Sequence, residues 1–475
     1  MLNFILWFLF TCVLAIAVKS FSGGAKAAGS DLPPGPSSFP VIGNLPELGD
    51  KPHISLAKLS QIYGPIMSLK LGQVTTIVIS SAAMAKEILQ THDTSFYNRF
   101  IPDAVNAHQH SDFAIIWLPV STRWRNLRKI CNSHIFSTQK LDANKDVRRK
   151  KIQQLLAYVK ESSRAGKAID VAQQAFNASL NFLSNAMFSV DLADPSSDTG
   201  REFKETGRRR HMATHFGKMF EIFDCLIDQR LKLREEHGRF GDAESGDILD
   251  TLLSMSQDSS NQIDRNTIKH LFLDLFAAGT DTTSSTLEWA MAELLRKPET
   301  LSKARSEIED TIGKGKPVEE SDINRLPYLQ AVVKETLRLH PAAPLLIPRK
   351  ASEDVKISGF TVPEGAQILV NAWAIGRDAS TRDNPYSFMP ERFLGSDIDF
   401  KGRHFELIPF GGGRRICPGL PLAIRMLHPI LGSLINSFDW KLEDGVTPEN
   451  MDMEEKFGIT LQKAKPLRIV PTVVF

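Results

Sequence analysis

The stretch ELIPFGGGRRICPG, residues 406–419, places one of the chain's four cysteines directly after a glycine run and two arginines. A cysteine used for packing is usually embedded among apolar neighbours, whereas Cys417 follows Arg415 by two positions and precedes Pro418 and Gly419. Positive charge close to a sulfur favours the thiolate over the thiol. The stretch therefore predicts a thiolate in a turn-rich, electropositive setting.

The composition is that of an ordinary globular protein, with 42% hydrophobic and 24% charged residues and a net charge of +2. A nearly neutral balance without long charged runs gives no reason to expect nucleic acid as a partner. The four cysteines lie far apart and form no CxxC pair; they are Cys12, Cys131, Cys225 and Cys417. This spacing argues against a disulfide framework or a zinc knuckle and fits a reducing compartment.

The first eighteen residues carry no charged side chain. As a helix, the 17 residues from Leu2 to Val18 would extend about 25 Å, enough for a thin bilayer. Lys19 and Lys26 follow, which favours a cytosolic location for the rest of the chain. The alternative is a cleaved secretory peptide, but that peptide would have a charged start and a shorter apolar run. We predict a single-pass anchor in the endoplasmic reticulum membrane.

The remaining chain shows one elbow and no second linker. The segment LPPGP at 32–36 predicts a stiff connection because proline fixes φ and removes a hydrogen-bond donor. Two β-rich runs surround Gly72, the pattern from about 120 to 340 is mostly helical, and β-rich runs return at 356–371 and 467–474. We predict an anchor at 1–19, a linker and proline-rich hinge at 20–36, and one mainly α domain with a minor β portion at 37–475.

A helical pattern at 271–297 contains an unusual polar stretch, Gly279-Thr280-Asp281-Thr282-Thr283. A glycine followed by hydroxyl side chains weakens the local hydrogen-bond ladder and predicts a kink that could hold a ligand or water. An acid beside a hydroxyl can also relay protons. The alternative is a core helix whose polar residues face solvent. A separate polar stretch, HQH at 108–110, is interpreted as loop surface.

Two further motifs contain charged pairs. Glu335 and Arg338 of KETLRLHP lie three residues apart on one helical face, and Arg392 lies in the proline-punctuated stretch MPERFL. An exposed pair of this kind would mean little. A carboxylate flanked by two guanidiniums can instead be fully hydrogen-bonded in the interior. The alternatives are therefore a surface pair and a buried network.

Taken in order, these motifs resemble those of the cytochrome P-450 haem-thiolate monooxygenases, from the anchor to the last strand. The resemblance implies that fold, with one catalytic domain around haem b, and Cys417 as the axial thiolate of the iron. It implies that Gly413 and Gly419 let the backbone approach the macrocycle, and that backbone N–H groups hydrogen-bond the sulfur. Phe410 belongs to the same motif.

The resemblance also assigns roles to residues elsewhere in the chain. Four residues would hold haem propionates: Arg415, Trp124, Arg128 and Arg349. Asp281 and Thr282 would deliver protons to dioxygen. Glu335, Arg338 and Arg392 would be structural. Because no dinucleotide or flavin motif is found, electrons would come from an NADPH-dependent cytochrome P-450 reductase.

Segments such as INRLPYLQAVVKETLRLHP and MDMEEKFGITLQKA are similar to plant microsomal members of the geraniol 8-hydroxylase type. Those enzymes oxidise monoterpene alcohols, so we expect a small apolar terpenoid as substrate, with diterpene hydroxylation or aromatic ether dealkylation as alternatives. Each candidate pocket residue could equally belong to the core. The candidates are Ile116, Trp117, Phe276, Ala277, Ala343, Leu345 and Ile459.

One departure from the family concerns the roof of the substrate pocket. Only 18 residues, 193–210, separate a helix ending near Leu192 from one starting at His211. A roof helix alone would need roughly 17–20 residues, so we infer that about 25–30 residues are absent, with the junction at Thr206–Gly207. An exon skip or a gene-model fault explains this more simply than evolved shortening. The alternative function is then a haem-binding chain with impaired catalysis.

Overall fold

The computed structural model describes residues 31–193, 209–236, 246–257 and 263–474. The predicted anchor and the predicted junction at Thr206–Gly207 lie outside the described residues. In the described part of the chain, no helix combines the length and the apolar character that a membrane span requires.

Fifteen α-helices lie in the described ranges: α1 Leu45–Leu48, α2 Pro52–Tyr63, α3 Ala82–Lys86, α4 Asp93–Phe96, α5 Thr122–Ile130, α6 Thr138–Ala143, α7 Lys145–Arg164, α8 Val171–Phe188, α9 Arg209–Glu236, α10 Ile248–Ser256, α11 Arg265–Arg296, α12 Pro298–Ile312, α13 Pro327–Leu339, α14 Ala372–Gly376 and α15 Leu420–Ser437. The strands of the same ranges are β1 Ile66–Leu71, β2 Val74–Ile79, β3 Asn98–Arg99, β4 Ile169–Asp170, β5 Arg349–Lys350, β6 Val355–Ile357, β7 Phe360–Val362, β8 Gln367–Val370, β9 Phe438–Leu442, β10 Glu455–Lys456, β11 Gln462–Lys463 and β12 Arg468–Val473. The predicted mainly α class with a minor β portion is confirmed.

The first of two compact units contains the described parts of 1–100 together with 344–385 and 405–415. Its main sheet has the order β1-β2-β8-β5-β3, in which β2 and β8 are parallel and the other neighbours antiparallel. Gly72, at the turn between β1 and β2, has φ +61°, which glycine adopts without strain. Alternate residues of these strands, including Ile77, Ile79 and Ile368, are buried in the core of the unit.

The second unit contains 101–343, 386–404 and 416–475 in their described parts. Helix α11 is its central element, and most of its 32 residues are buried. Helix α8 packs along α11, and a Cβ added at Gly279 of α11 would lie only 2.8 Å from Cδ1 of Leu183 in α8. A three-stranded antiparallel sheet, β4-β12-β9, completes the unit.

Side-chain caps determine where the helices of the second unit begin. The Ser121 side chain accepts a hydrogen bond from Trp124 N at the start of α5, and Asp264 accepts one from Thr267 N at the start of α11. Such caps satisfy backbone donors that a helix leaves unpaired at its first turn. The caps therefore fix the start of two helices that contain six of the predicted site residues: Trp124, Arg128, Phe276, Ala277, Asp281 and Thr282.

The predicted interruption at 279–283 is wrong, because α11 is one continuous helix from Arg265 to Arg296. The hydroxyl groups bond within the helix: Thr280 donates to the Phe276 carbonyl and Thr283 to the Gly279 carbonyl, both at 2.8 Å. Gly279 packs closely against Leu183, so a larger residue at 279 would require the Leu183 side chain to move. Tertiary packing therefore contributes to the choice of glycine at this position.

Candidate functional site

Cys417 lies just before α15, in the second unit, and keeps part of its surface accessible. Its sulfur accepts hydrogen bonds from the backbone N–H groups of Gly419 and Leu420. Burial raises the pKa of the Cys417 thiol, and this effect exceeds the opposing effects of the two backbone donors and of Arg128. The expectation that the local setting alone favours a thiolate is therefore wrong. A metal cation at the sulfur would reverse the balance, since a coordinating thiol is deprotonated.

Helix α5 contains two of the residues predicted to hold propionates, Trp124 and Arg128, and lies in the same unit as Cys417. The indole Nε1–H of Trp124 donates to the Ile115 carbonyl at 3.1 Å, so Trp124 also supports the segment that precedes the helix. Burial lowers the pKa of Arg128, and the charges of Cys131 and Cys417 oppose that shift. No carboxylate among the described residues pairs with the Arg128 guanidinium. A partly buried cation of this kind suits an anionic group such as a propionate.

The middle of α11 is open, although most of the helix is buried. Between Leu271 and Leu295 the residues that are not buried are Ala277, Ala278, Gly279, Asp281 and Thr282. The hydroxyl of Thr282 donates to the Ala278 carbonyl at 2.5 Å, which leaves its oxygen able to accept a further hydrogen bond. The predicted relay residues thus lie in the one stretch of this part of α11 that a ligand could approach.

In the first unit, Arg349 is 4% exposed and donates to the Gly412 carbonyl at 3.1 Å. Its Nη1 also lies 3.5 Å from Asp93 Oδ1. Burial lowers the pKa of Arg349 to about 10, and Asp93 opposes the shift, so the side chain stays cationic at neutral pH. Arg414 pairs with the other oxygen of Asp93 at 3.0 Å, and Arg415 is buried.

The two motif glycines face different constraints. Gly413 has φ +65°, and a Cβ there would lie 1.9 Å from the Leu89 carbonyl oxygen. Gly419 has ordinary space, since its Cβ would lie 3.8 Å from both the Cys417 sulfur and the Phe136 ring. Packing within the first unit is therefore sufficient to require glycine at 413. The proposed approach of both glycines to a macrocycle stays a prediction, as does the role of Phe410, which is partly exposed.

Glu335, Arg338 and Arg392 meet in the second unit as the motif pattern allowed. Glu335 and Arg338 are almost fully buried, with Arg338 Nε 2.7 Å from Glu335 Oε2, and Arg392 Nε lies 3.1 Å from Glu335 Oε1. The backbone N–H of Met389 donates to the same Oε1 at 2.7 Å. The surface alternative does not apply, because the structure buries the carboxylate between two guanidiniums.

The candidate pocket residues occupy varied environments. Ile116, Trp117 and Ala343 are partly exposed, and Leu345 is buried. Phe276 is 2% exposed and packs against the rings of Phe188 and Phe223. Ile459 is 78% exposed. Of these seven candidates, Ala277 has the clearest position for a ligand contact, because it belongs to the open stretch of α11.

Sequence reasoning missed a buried cluster of His110, His270 and Asp274. The interpretation of 108–110 as loop surface is wrong for His110, which is 3% exposed and lies 3.1 Å from Asp274 Oδ1. His108 and Gln109 are exposed as expected. The available signal was Asp274 itself, an acid in the apolar run LFLDLF, because a buried carboxylate requires partners.

Comparison with known proteins gives consistent results. The family model described as cytochrome P-450 matches residues 33–469. Geraniol 8-hydroxylase of Catharanthus roseus is 53% identical over 100% of this chain and 99% of its own length, in an alignment of 499 positions against 475 residues here, a difference of 24. Geraniol 8-hydroxylase of Swertia mussotii is 54% identical over 98% of this chain and 97% of its own.

Among solved structures, a zebra fish cytochrome P-450 with abiraterone matches with a TM-score of 0.76 at 25% identity. The match covers 90% of this chain and 99% of that one. The likeness therefore extends over most of this chain and nearly all of the zebra fish chain.

Proposed function

The chain belongs to the cytochrome P-450 family and is an oxidoreductase of the monooxygenase class, and on that premise we propose that it hydroxylates a small apolar terpenoid, with geraniol as the first candidate. Dioxygen and two electrons would be consumed for each hydroxylated product and water. The observation that carries the proposal is the Cys417 sulfur, which accepts hydrogen bonds from two backbone N–H groups and has a cationic residue, Arg128, near it.

The residues present fit a haem-thiolate group. The paired backbone donors at Cys417 suit a thiolate ligand, and Arg128, which pairs with no carboxylate of the described residues, suits a propionate. By family resemblance, Arg349 and Arg415 would also hold propionates, and Trp124 would do so only if its single N–H left the Ile115 carbonyl. When bound through its iron to Cys417, haem b supplies the activation of dioxygen and the oxidation of a C–H bond.

The chain's own contribution near the substrate comes from α11. Thr282 Oγ1 can accept one hydrogen bond while donating to the Ala278 carbonyl, and the Asp281 carboxylate lies on the next residue before it. These groups would hold and pass protons at Oγ1 of Thr282. The exposed side chains of Ala277 and Ala278 are small and apolar, which suits contact with a terpenoid chain.

The electron donor would be an NADPH-cytochrome P-450 reductase, and the location the endoplasmic reticulum membrane with the catalytic domain cytosolic. The basis is the apolar run Leu2–Val18 followed by lysines, together with the missing dinucleotide and flavin motifs. The boundaries 1–19, 20–36 and 37–475 belong to the same proposal.

The shortened roof is part of the proposal as well. The difference of 24 positions from the Catharanthus relative is close in number to the inferred loss of about 25–30 residues, whose location at Thr206–Gly207 rests on the helix lengths alone. If about 100 Å² of a terpenoid lost its cover, affinity would fall by about 2.5 kcal/mol, or some sixtyfold. A chain that binds haem but is catalytically impaired is therefore the alternative function of another class.

Exchange of Cys417 for serine tests the proposal. The reduced, carbon monoxide-bound spectrum of the wild type should be of the thiolate type, and Cys417→Ser should lose it while folded protein remains. The wild type should also convert geraniol to a hydroxylated product with reductase and NADPH. A thiolate-type spectrum in the serine variant would refute the ligand assignment. Conversion of only diterpenes or aromatic ethers would refute the substrate.

The roof is tested by inserting the family-length segment between Thr206 and Gly207. The extended chain should bind geraniol about sixtyfold more tightly and couple NADPH use to product more fully, because the substrate regains apolar cover. Substrate-induced spectral shifts and product yield measure both effects. Equal affinity and coupling in the two chains would show that the present helices close the roof unaided.

A further inference from the structure

Three ionisable side chains meet in the interior of the second unit, next to the open stretch of α11. His110 Nε2 lies 3.1 Å from Asp274 Oδ1, and His110 Nδ1 lies 2.8 Å from Nδ1 of His270. Each of the three side chains is at most 4% exposed. No set of described residues is arranged to hold a metal ion, so the contacts here are hydrogen bonds.

The protonation of His270 determines how these hydrogen bonds run. Burial lowers the pKa of His270 to about 3, and the neighbouring charges of His110, Lys269, His108 and Arg123 add to the shift. The ring is therefore neutral at physiological pH. A neutral His110 accepts a hydrogen bond from His270 at Nδ1, and a cationic His110 donates one there. In both cases the Nε2–H of His110 donates to Asp274.

The Asp274 carboxylate holds two points of the segment that precedes α5. Oδ1 accepts from His110, and Oδ2 lies 3.3 Å from the backbone nitrogen of Ile116. The neighbouring carbonyl, that of Ile115, accepts from Trp124 Nε1. The backbone at 115–116 is thus held from two helices, while the side chains of Ile116 and Trp117 remain partly exposed.

The position of Asp274 on α11 connects this segment to the candidate site. Ala277 and Ala278 follow Asp274 by three and four residues, so all three lie on the same face of the helix, one turn apart. Ile116 therefore meets α11 next to the stretch where the helix is open. A shift of its backbone would move apolar side chains at that edge.

The segment is held in a conformation that it would not adopt alone. His108 and Gln109, directly before His110, have φ of +52° and +58°, which non-glycine residues rarely adopt. His108 is fixed by a 2.7 Å contact between its Nε2 and the Ala213 carbonyl of α9. Strain of this kind persists only where surrounding contacts maintain it, and His110 supplies the buried contact.

We propose that His110 is a positioning residue, which acts through Asp274 to fix the backbone of Ile116 and so determines where Ile116 and Trp117 stand against a terpenoid substrate. The part concerning the terpenoid rests on the proposed function. Loss of the His110–Asp274 bond releases the segment, widens the set of substrate orientations and changes which carbon is oxidised.

Amide hydrogen exchange of the full-length, haem-loaded chain tests the positioning directly. In His110→Phe and Asp274→Ala, peptides covering 113–118 should exchange at least about tenfold faster. The reason is that both variants lose the hydrogen bond to the Asp274 carboxylate that holds the strained segment in place. His110→Gln should stay near the wild type, because its amide nitrogen can donate to Asp274 from the same position. Peptides from α13 in the same samples report any global loosening.

His428→Phe is the matched control, since His428 is also 3% exposed and the exchange of imidazole for a phenyl ring is the same. It should leave exchange at 113–118 unchanged. Wild-type protection in both His110→Phe and Asp274→Ala would overturn the proposal, as would equal loosening at 113–118 and in α13. Rescue by His110→Gln distinguishes positioning from bulk packing.

Geraniol tests the consequence for the substrate. The ratio of positional product isomers, which does not depend on the amount of folded enzyme, should change several-fold in His110→Phe and not in His110→Gln or His428→Phe. Loosened exchange with an unchanged isomer ratio would overturn the role in specificity. If the wild type neither binds nor oxidises geraniol, the proposed substrate is wrong, while the exchange experiment still decides whether His110 positions the segment.

Discussion

Two buried carboxylates of the second unit, Glu335 and Asp274, have different kinds of hydrogen-bond partner. Glu335 lies between the guanidiniums of Arg338 and Arg392, whereas Asp274 lies between an imidazole and a backbone N–H group. A guanidinium stays charged at every accessible pH, while an imidazole can exchange protons and tautomers near neutrality. The first arrangement suits a permanent ion pair within the fold. The second suits a contact that positions a neighbouring segment of backbone.

The largest effect is expected at Glu335. Glu335→Ala leaves two guanidiniums without their buried carboxylate, which should lower the free energy of unfolding by about 3–5 kcal/mol. Glu161→Ala is the control, because Glu161 and Arg164 have the same spacing of three but are exposed, and it should cost no more than about 0.5 kcal/mol. Denaturant unfolding measures both. Similar losses in the two variants would remove the distinction between buried and exposed pairs.

A smaller effect is expected at Asp274. Asp274→Ala leaves the His110 and Ile116 donors unsatisfied and should cost about 1–3 kcal/mol. Asp274→Asn should cost less than about 1 kcal/mol, because the amide oxygen can accept from Ile116 while His110 changes tautomer and accepts from the amide nitrogen. The same unfolding measurements compare the two. An asparagine variant as unstable as the alanine variant would show that the site needs a charged carboxylate, as Glu335 does.

The last effect, which is the smallest near neutral pH, is a pH dependence at His270. Its pKa in the folded chain is about 3, below the ordinary 6.5, so the unfolded chain takes up a proton first as pH falls. The contribution of the neutral His270 ring to the free energy of unfolding is fully present above pH 6.5. It decreases toward pH 3 by at most about 1.4 kcal/mol per pH unit. His270→Phe should show a correspondingly shallower decline in unfolding midpoints. Identical slopes would show that the pKa of His270 does not differ between the folded and the unfolded chain.

The two clusters also differ in how visible they are in the sequence. Glu335 and Arg338 share one helical turn, and Arg392 lies in a short proline-bounded motif, so spacing and resemblance suffice to propose the network. His110 and His270 are 160 positions apart, and no local spacing relates one to the other. Only the packing of the 103–112 segment against α11 brings them together, and helical periodicity contains no information about that contact.

The sequence by itself determined the mainly α class, the family and the two β-rich runs around Gly72, because each depends on local spacing or on a motif. The tertiary structure decided the rest. It made α11 continuous, it placed Leu183 of a neighbouring helix against Gly279, and it raised the pKa of Cys417 by burial. The physical reason is that desolvation and close packing depend on atoms supplied by distant parts of the chain, which no local pattern records.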